Sequence, residues 1–229
     1  MNKTVDLNDL ESYPEEFLKF VRTDFDKLEN SFISKEIKIS DGSGLFAYLN
    51  QMMKDYYFKC IHASRTYNKE LFYEKGLFVP SSSDEIIDIL LEPTKDILGN
   101  NYIAIYEKVK NQLKDDKYKS IHFVIGDIDD ITIKNGFWML DNYGGELLPD
   151  VLGYDNPIYK KISLLGIPVA VIFRIKFSNI NDYTLSEIYS FMLNKAMKDK
   201  DAHLFKTTYV FEEIPKEDII EVKELKNYE

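Results

Sequence analysis

The tetrapeptide Tyr143-Gly144-Gly145-Glu146 brings together residue types that can do chemistry as a group. Consecutive glycines permit positive φ angles and let a ligand approach bare backbone; here they sit between an aromatic ring and a carboxylate. A carboxylate held where positive charge develops stabilises a transition state more than the ground state. The same residues also read as a tight turn with a solvated glutamate, and both readings stay open on sequence. A second candidate is Ile61-His62-Ala63-Ser64-Arg65-Thr66, which offers an imidazole and a planar guanidinium fork in one short stretch. On a strand, His62 shares a face with Phe58 and Cys60, and Arg65 falls on the opposite one. The pair then meets a single ligand only if the strand ends or bends near Ser64. His62 reads equally well as a core-edge histidine hydrogen-bonded to backbone.

Other chemistries lack the residues they need. The three histidines, His62, His122 and His203, show no His-x-x-x-His or Glu-x-x-His spacing, so no metal is expected. Cys60 is the sole cysteine, which rules out an intramolecular disulfide and a cysteine-rich zinc site. Its apolar neighbours Phe58, Ile61 and Ala63 mark it as a buried structural thiol in preference to a nucleophile. No Gly-x-Ser-x-Gly elbow and no Gly-x-Gly-x-x-Gly fingerprint occurs.

Both candidate stretches must be held by regular elements, and hydrophobic periodicity supplies them. Pro14 opens a helical pattern through Leu18, Val21, Phe25 and Leu28; alternation over Glu36 to Ile39 predicts a short strand, ended by the turn Asp41-Gly42-Ser43-Gly44. A helix is predicted from Leu45 to about Asp55, then a strand from Tyr56 to Arg65. Asn68 is placed to cap a short helix through Leu71, Phe72 and Lys75 that stops at Gly76. Ser83 can cap a helix over Ile86, Ile87, Leu90 and Leu91 that Pro93 interrupts, and Tyr102 to Leu113 is a further amphipathic helix. Ile121, Phe123 and Ile125 alternate as a strand, and Val169 to Phe177 forms a longer apolar face after Pro168. Pro157 to Leu165, closed by Gly166, and Leu185 to Met197 read as helices; Phe205 to Phe211 and Ile219 to Val222 read as strands. Strands interrupted by unequal helices predict an α+β fold with mixed or antiparallel sheets and flanking helices. Residues 1–44 read as a helical N-terminal extension packed on a main domain spanning 45–229.

Composition bounds the function classes. With 45% hydrophobic residues in 229 positions, the chain has the apolar surface for one elaborated domain, the preferred reading, or two intimate lobes, which excludes wholesale disorder. A formal net charge of -10 opposes a phosphate backbone, so bulk DNA binding is disfavoured. The acidic stretch Met1 to Asp9 has no apolar run, so no secretory signal is expected, and no stretch approaches bilayer length, so no membrane partner is expected. A reducing, cytoplasmic location follows as an expectation.

A strand bearing His62-Ala63-Ser64-Arg65-Thr66, a short helix ending in Gly76-Leu77, the later Tyr143-Gly144-Gly145-Glu146 and a strand after Gly166-Ile167-Pro168 together resemble bacterial ADP-ribosyltransferase-like toxins of the diphtheria-toxin-like branch. The resemblance spans about Tyr56 to Val222. It implies NAD as substrate, with His62 bonding its ribose and Glu146 stabilising the oxocarbenium-like ribose as nicotinamide leaves. It further implies a dinucleotide site bordered by His62, Ala63, Arg65, Thr66, Tyr67 and Tyr143, with Arg65 on the pyrophosphate and Tyr67 or Tyr143 stacking on nicotinamide. Gly144 stands where arginine-directed relatives carry Glu or Gln, and no Ser-Thr-Ser motif follows the first strand. The acceptor is therefore open: a protein, a nucleic-acid base or a small molecule, in a toxin or phage-conflict setting. The competing reading is a non-catalytic interaction module, an inhibitor or antitoxin-like partner, suggested by the acidic balance and aromatic richness.

Overall fold

In this computed structural model the described residues are 3–25, 37–79, 84–131, 140, 143–197 and 199–225. Their strands are β1 (Thr4–Val5), β2 (Tyr57–Thr66), β3 (Ile121–Ile125), β4 (Ile167–Lys176), β5 (Lys206–Val210) and β6 (Ile219–Glu224). They pair in the order β5-β3-β2-β4-β6, with β1 added to β2. β1 runs parallel to β2; β6 is antiparallel to β4, with Val171 opposite Val222. The helices begin with α1 (Glu15–Phe20), α2 (Gly44–Met53) and α3 (Glu70–Lys75). After them come α4 (Asp84–Leu91), α5 (Lys95–Leu98) and α6 (Tyr102–Gln112). The last are α7 (Leu147–Leu152), α8 (Pro157–Ile162) and α9 (Asp182–Met197). The mixed α+β character with an antiparallel pairing is as the alternation of elements predicts, and no described helix is long and apolar enough to cross a membrane.

The chain divides into two compact units. The first is Met1–Cys60, Val124–Asp127 and Arg174–Thr208; the second is Ile61–Phe123, Ile128–Phe173 and Tyr209–Glu229. Residues 1–44 thus lie in the first unit together with 45–60.

In the first unit, Ser43 accepts the Phe46 amide and starts α2, a cap worth ~1 kcal/mol. Aromatic packing fills the interior: Phe177 stacks on Tyr189 of α9 at 5.9 Å and meets Phe58 of β2 edge-on at 4.9 Å. In α1 the buried positions are Phe17 and Phe20, joined by the following Val21. Val21 of the predicted stripe is buried as expected, while Leu18 is half-buried and Phe17 and Phe20 take the interior positions beside it. Leu28 and Glu36 lie outside the described residues. The short strand predicted up to Ile39 does not form. Instead, the Ile37 amide donates to Asn194 Oδ1 at 3.1 Å, the Ile39 amide to Ser190 Oγ at 2.9 Å, and Asn194 Nδ2 returns a bond to the Ile37 carbonyl. Ser190 and Asn194 are one helical turn apart on α9, so side chains satisfy the backbone groups a neighbouring strand would otherwise take. Lys59 pairs with Asp6, and Cys60 is fully buried, as its neighbours foretold.

In the second unit, Asn68 Oδ1 accepts the Glu70 amide at 3.0 Å to start α3, and the Gly76 amide closes it on the Phe72 carbonyl. Pro93 interrupts the helical path as expected: α4 gives way to a 3-10 turn, Glu92–Thr94, before α5. Ser83, the expected cap, lies outside the described residues. Helices α4 to α8 share one core that includes Ile87, Leu91, Val109, Leu148 and Ile162. Tyr143 and Leu147 belong to the same core, which fixes the glycine turn between them.

Candidate functional site

The second unit contains a cavity of about 510 Å³, the size of a small-molecule site. Two segments line it, the end of β2 running on to Asn68 and the turn from Tyr143 to Leu147; Ile86, Ile89 and Leu90 of α4 and Leu71 and Phe72 of α3 add apolar lining. His62, Ala63, Arg65, Thr66, Tyr67, Tyr143 and Glu146 all border it. Residues distant in sequence are thus gathered at one place. The strand continues through Ser64 to Thr66 without ending, and His62 and Arg65 border the cavity all the same.

His62 is half-buried, and its Nδ1 lies 2.8 Å from the His122 carbonyl oxygen. A carbonyl can only accept, so Nδ1 carries the proton. Burial pulls the His62 pKa below its ordinary 6.5; the bond to His122 opposes that shift without cancelling it. The neutral ring therefore has Nε2 as a hydrogen-bond acceptor, the form suited to a hydroxyl group.

Glu146 is exposed and stands directly before α7, making no side-chain cap bond. Its position is set by Gly144 (φ 79) and Gly145 (φ 55), both in the left-handed region that a tight turn demands. The Leu147 amide closes the turn on the Gly144 carbonyl at 3.2 Å.

Tyr143 is anchored at both ends. Its amide donates to the Ser163 carbonyl at 2.9 Å and its hydroxyl to the Leu90 carbonyl at 3.0 Å, and burial pushes its pKa up. At 4% exposure its faces are covered, whereas Tyr67, which meets it edge-on at 5.4 Å, is 49% exposed. Of the two tyrosines proposed for stacking, Tyr67 is the exposed one.

Arg65 is held by backbone carbonyls. Its Nε donates to the Leu165 carbonyl at 3.1 Å, Nη1 to that of Leu140 at 3.1 Å, and Nη2 to those of Leu164 and Gly166 at 3.2 and 2.9 Å. The fork that a pyrophosphate would need is spent on backbone.

Lys117, Tyr118, Ser120, His122 and Glu92 also border the cavity and were not singled out by the sequence. Lys117 and Tyr118 both bond Asp150. Burial raises the Asp150 pKa, but the bonds from Lys117 and Tyr118 outweigh it and leave the carboxyl below its usual range. Tyr118 is raised, first by burial and then by Asp150, and Lys117 is raised by its bond to Asp150. Glu92 pairs with Lys95. The alternation that exposes His122 between buried Ile121 and Phe123 is the one sequence signal among these residues.

No protein-family model, curated protein or solved structure matches this chain. The arrangement therefore has to be read on its own chemistry: an apolar, ligand-sized cavity with an aromatic face, an imidazole acceptor and a carboxylate at its border.

Proposed function

We propose that the cavity of the second unit takes NAD as substrate and that the protein transfers ADP-ribose from it to a protein or nucleic-acid acceptor. The observation that supports this reading is the convergence of His62 and Glu146 on one cavity of ligand size. In the reaction the bond between ribose C1′ and the nicotinamide nitrogen breaks, and nicotinamide leaves with the electron pair. Positive charge then develops at C1′, where the Glu146 carboxylate stabilises it before the acceptor's nucleophile bonds to that carbon. His62 Nε2 accepts a ribose hydroxyl and orients the sugar. Tyr67 offers its open face to the nicotinamide ring, an aromatic contact worth ~0.5–1.5 kcal/mol beyond burial. In this reading Arg65 stays on its four backbone carbonyls and is not the group that binds the diphosphate.

The test is nicotinamide release from NAD by the purified chain with protein, RNA and DNA acceptors, beside a direct NAD-binding measurement. Glu146→Gln is expected to lose on the order of 10²-fold in kcat while NAD affinity stays within about threefold, as for a group that acts in the transition state. A chain that neither binds NAD nor releases nicotinamide, or a Glu146→Gln variant with full turnover, overturns the proposal.

A further inference from the structure

Four backbone carbonyls outside its own strand, from residue 140 and from the 164–166 turn, converge on the Arg65 guanidinium. That turn also reaches the glycine segment, since the Ser163 carbonyl takes the Tyr143 amide at 2.9 Å. It sits against the strand as well. A Cβ at Gly166 (φ +71) would lie 2.7 Å from the Thr66 carbonyl oxygen, so only a glycine lets the turn pack there. A continuous chain of bonds thus runs from the strand that carries His62, through Arg65 and the 163–166 turn, to Tyr143 and the Gly-Gly-Glu segment.

We propose that Arg65 is a positioning residue: it ties the His62 strand to the turn that carries Glu146 and so sets the separation of the two reacting groups. This rests on the NAD-cleavage reading, and it replaces direct contact with the diphosphate as the role of this arginine. A planar fork with five N–H donors can reach four carbonyls at once; a lysine ammonium, a compact point with three donors, cannot hold both segments.

The experiment compares the full chain with Arg65→Lys and Arg65→Met. Melting temperature establishes that each is folded, and the lysine variant, which keeps a cation among the carbonyls, carries the comparison if the methionine variant does not fold. Two further readouts decide the role. Amide hydrogen exchange over residues 143–147 is expected to quicken about tenfold or more, while residues 185–193 stay unchanged, as local opening predicts. In nicotinamide release, kcat is expected to fall by about tenfold to 10²-fold, the scale of a sub-ångström to 1 Å misplacement of reacting groups. KM for NAD and inhibition by ADP-ribose should stay within about threefold. Unchanged exchange over 143–147 overturns the inference. So does a loss confined to KM and ADP-ribose inhibition, which would put Arg65 on the diphosphate. If the unaltered chain releases no nicotinamide, the NAD reading falls by itself, and exchange over 143–147 still decides whether Arg65 holds the turn.

Discussion

Gly144 and Gly145 are adjacent, share a left-handed backbone and differ in their surroundings, which makes a pair of alanine substitutions an internally controlled test of what fixes Glu146. Either alanine carries the cost of a left-handed L-residue, ~1–2 kcal/mol, partly offset by ~0.4–1 kcal/mol from a stiffer unfolded chain. Those contributions are nearly common to both. At Gly145 nothing lies within 4 Å of the added Cβ, so they are the whole effect. At Gly144 the Cβ would sit 2.6 Å from Leu148 Cδ1, 2.7 Å from Leu148 Cγ and 3.1 Å from Leu90 Cδ1. Leu148, the nearest neighbour, is fully buried and cannot step aside into solvent; Leu90 is partly buried against the same core. Overpacking of that kind adds ~1–3 kcal/mol. At ~2–4 °C per kcal/mol for a chain of this size, Gly144→Ala should melt about 2–12 °C below Gly145→Ala. Circular dichroism melts read the difference, and NAD affinity of the two variants shows whether the turn moves with it. Equal melting temperatures, or a lower one for Gly145→Ala, would refute the argument that packing under Gly144 holds the turn.

Two further outcomes follow from buried groups of the fold. His62 should titrate below 6.5 in NMR spectra assigned with a His62→Asn variant. Since the unfolded chain takes up that proton first as pH falls, His62 costs stability from about pH 6.5 downward, with no further loss below its folded pKa, and His62→Asn should flatten the melting temperature over that window. A His62 that titrates at or above 6.5 contradicts the burial argument. Cys60, fully buried and with its pKa raised by that burial, should resist a thiol reagent at pH 8 in the native chain and react once denaturant is added; rapid native labelling would show the thiol to be accessible.

Much of the fold was legible because local signals and tertiary packing agree. The Ser43 turn, the Gly76 end of α3 and the break at Pro93 are each set by a residue whose backbone preference does not depend on distant partners; the long apolar strand also forms, but it begins at Ile167 and so includes Pro168. Ile37 and Ile39 show where this fails. Their alternation predicts burial, which they have, but the partner that satisfies their amides is a helix instead of a strand. Periodicity reports which side chains are buried and says nothing of which distant atoms take the hydrogen bonds.

The candidate site divides along the same line. By itself the sequence determined which groups were available: the His62 imidazole on a predicted strand, a carboxylate after two glycines, a guanidinium three residues from His62, and a lone thiol hemmed in by apolar neighbours. Only the tertiary structure decided what those groups are free to do. It placed His62 and Glu146 on one cavity, fixed the histidine proton on Nδ1 through the His122 carbonyl, buried Tyr143 while leaving Tyr67 exposed, and spent Arg65 on four carbonyls. The physical reason is that a side chain's chemical type is a local property, whereas its partners, solvation and protonation are set by atoms brought from elsewhere in the chain.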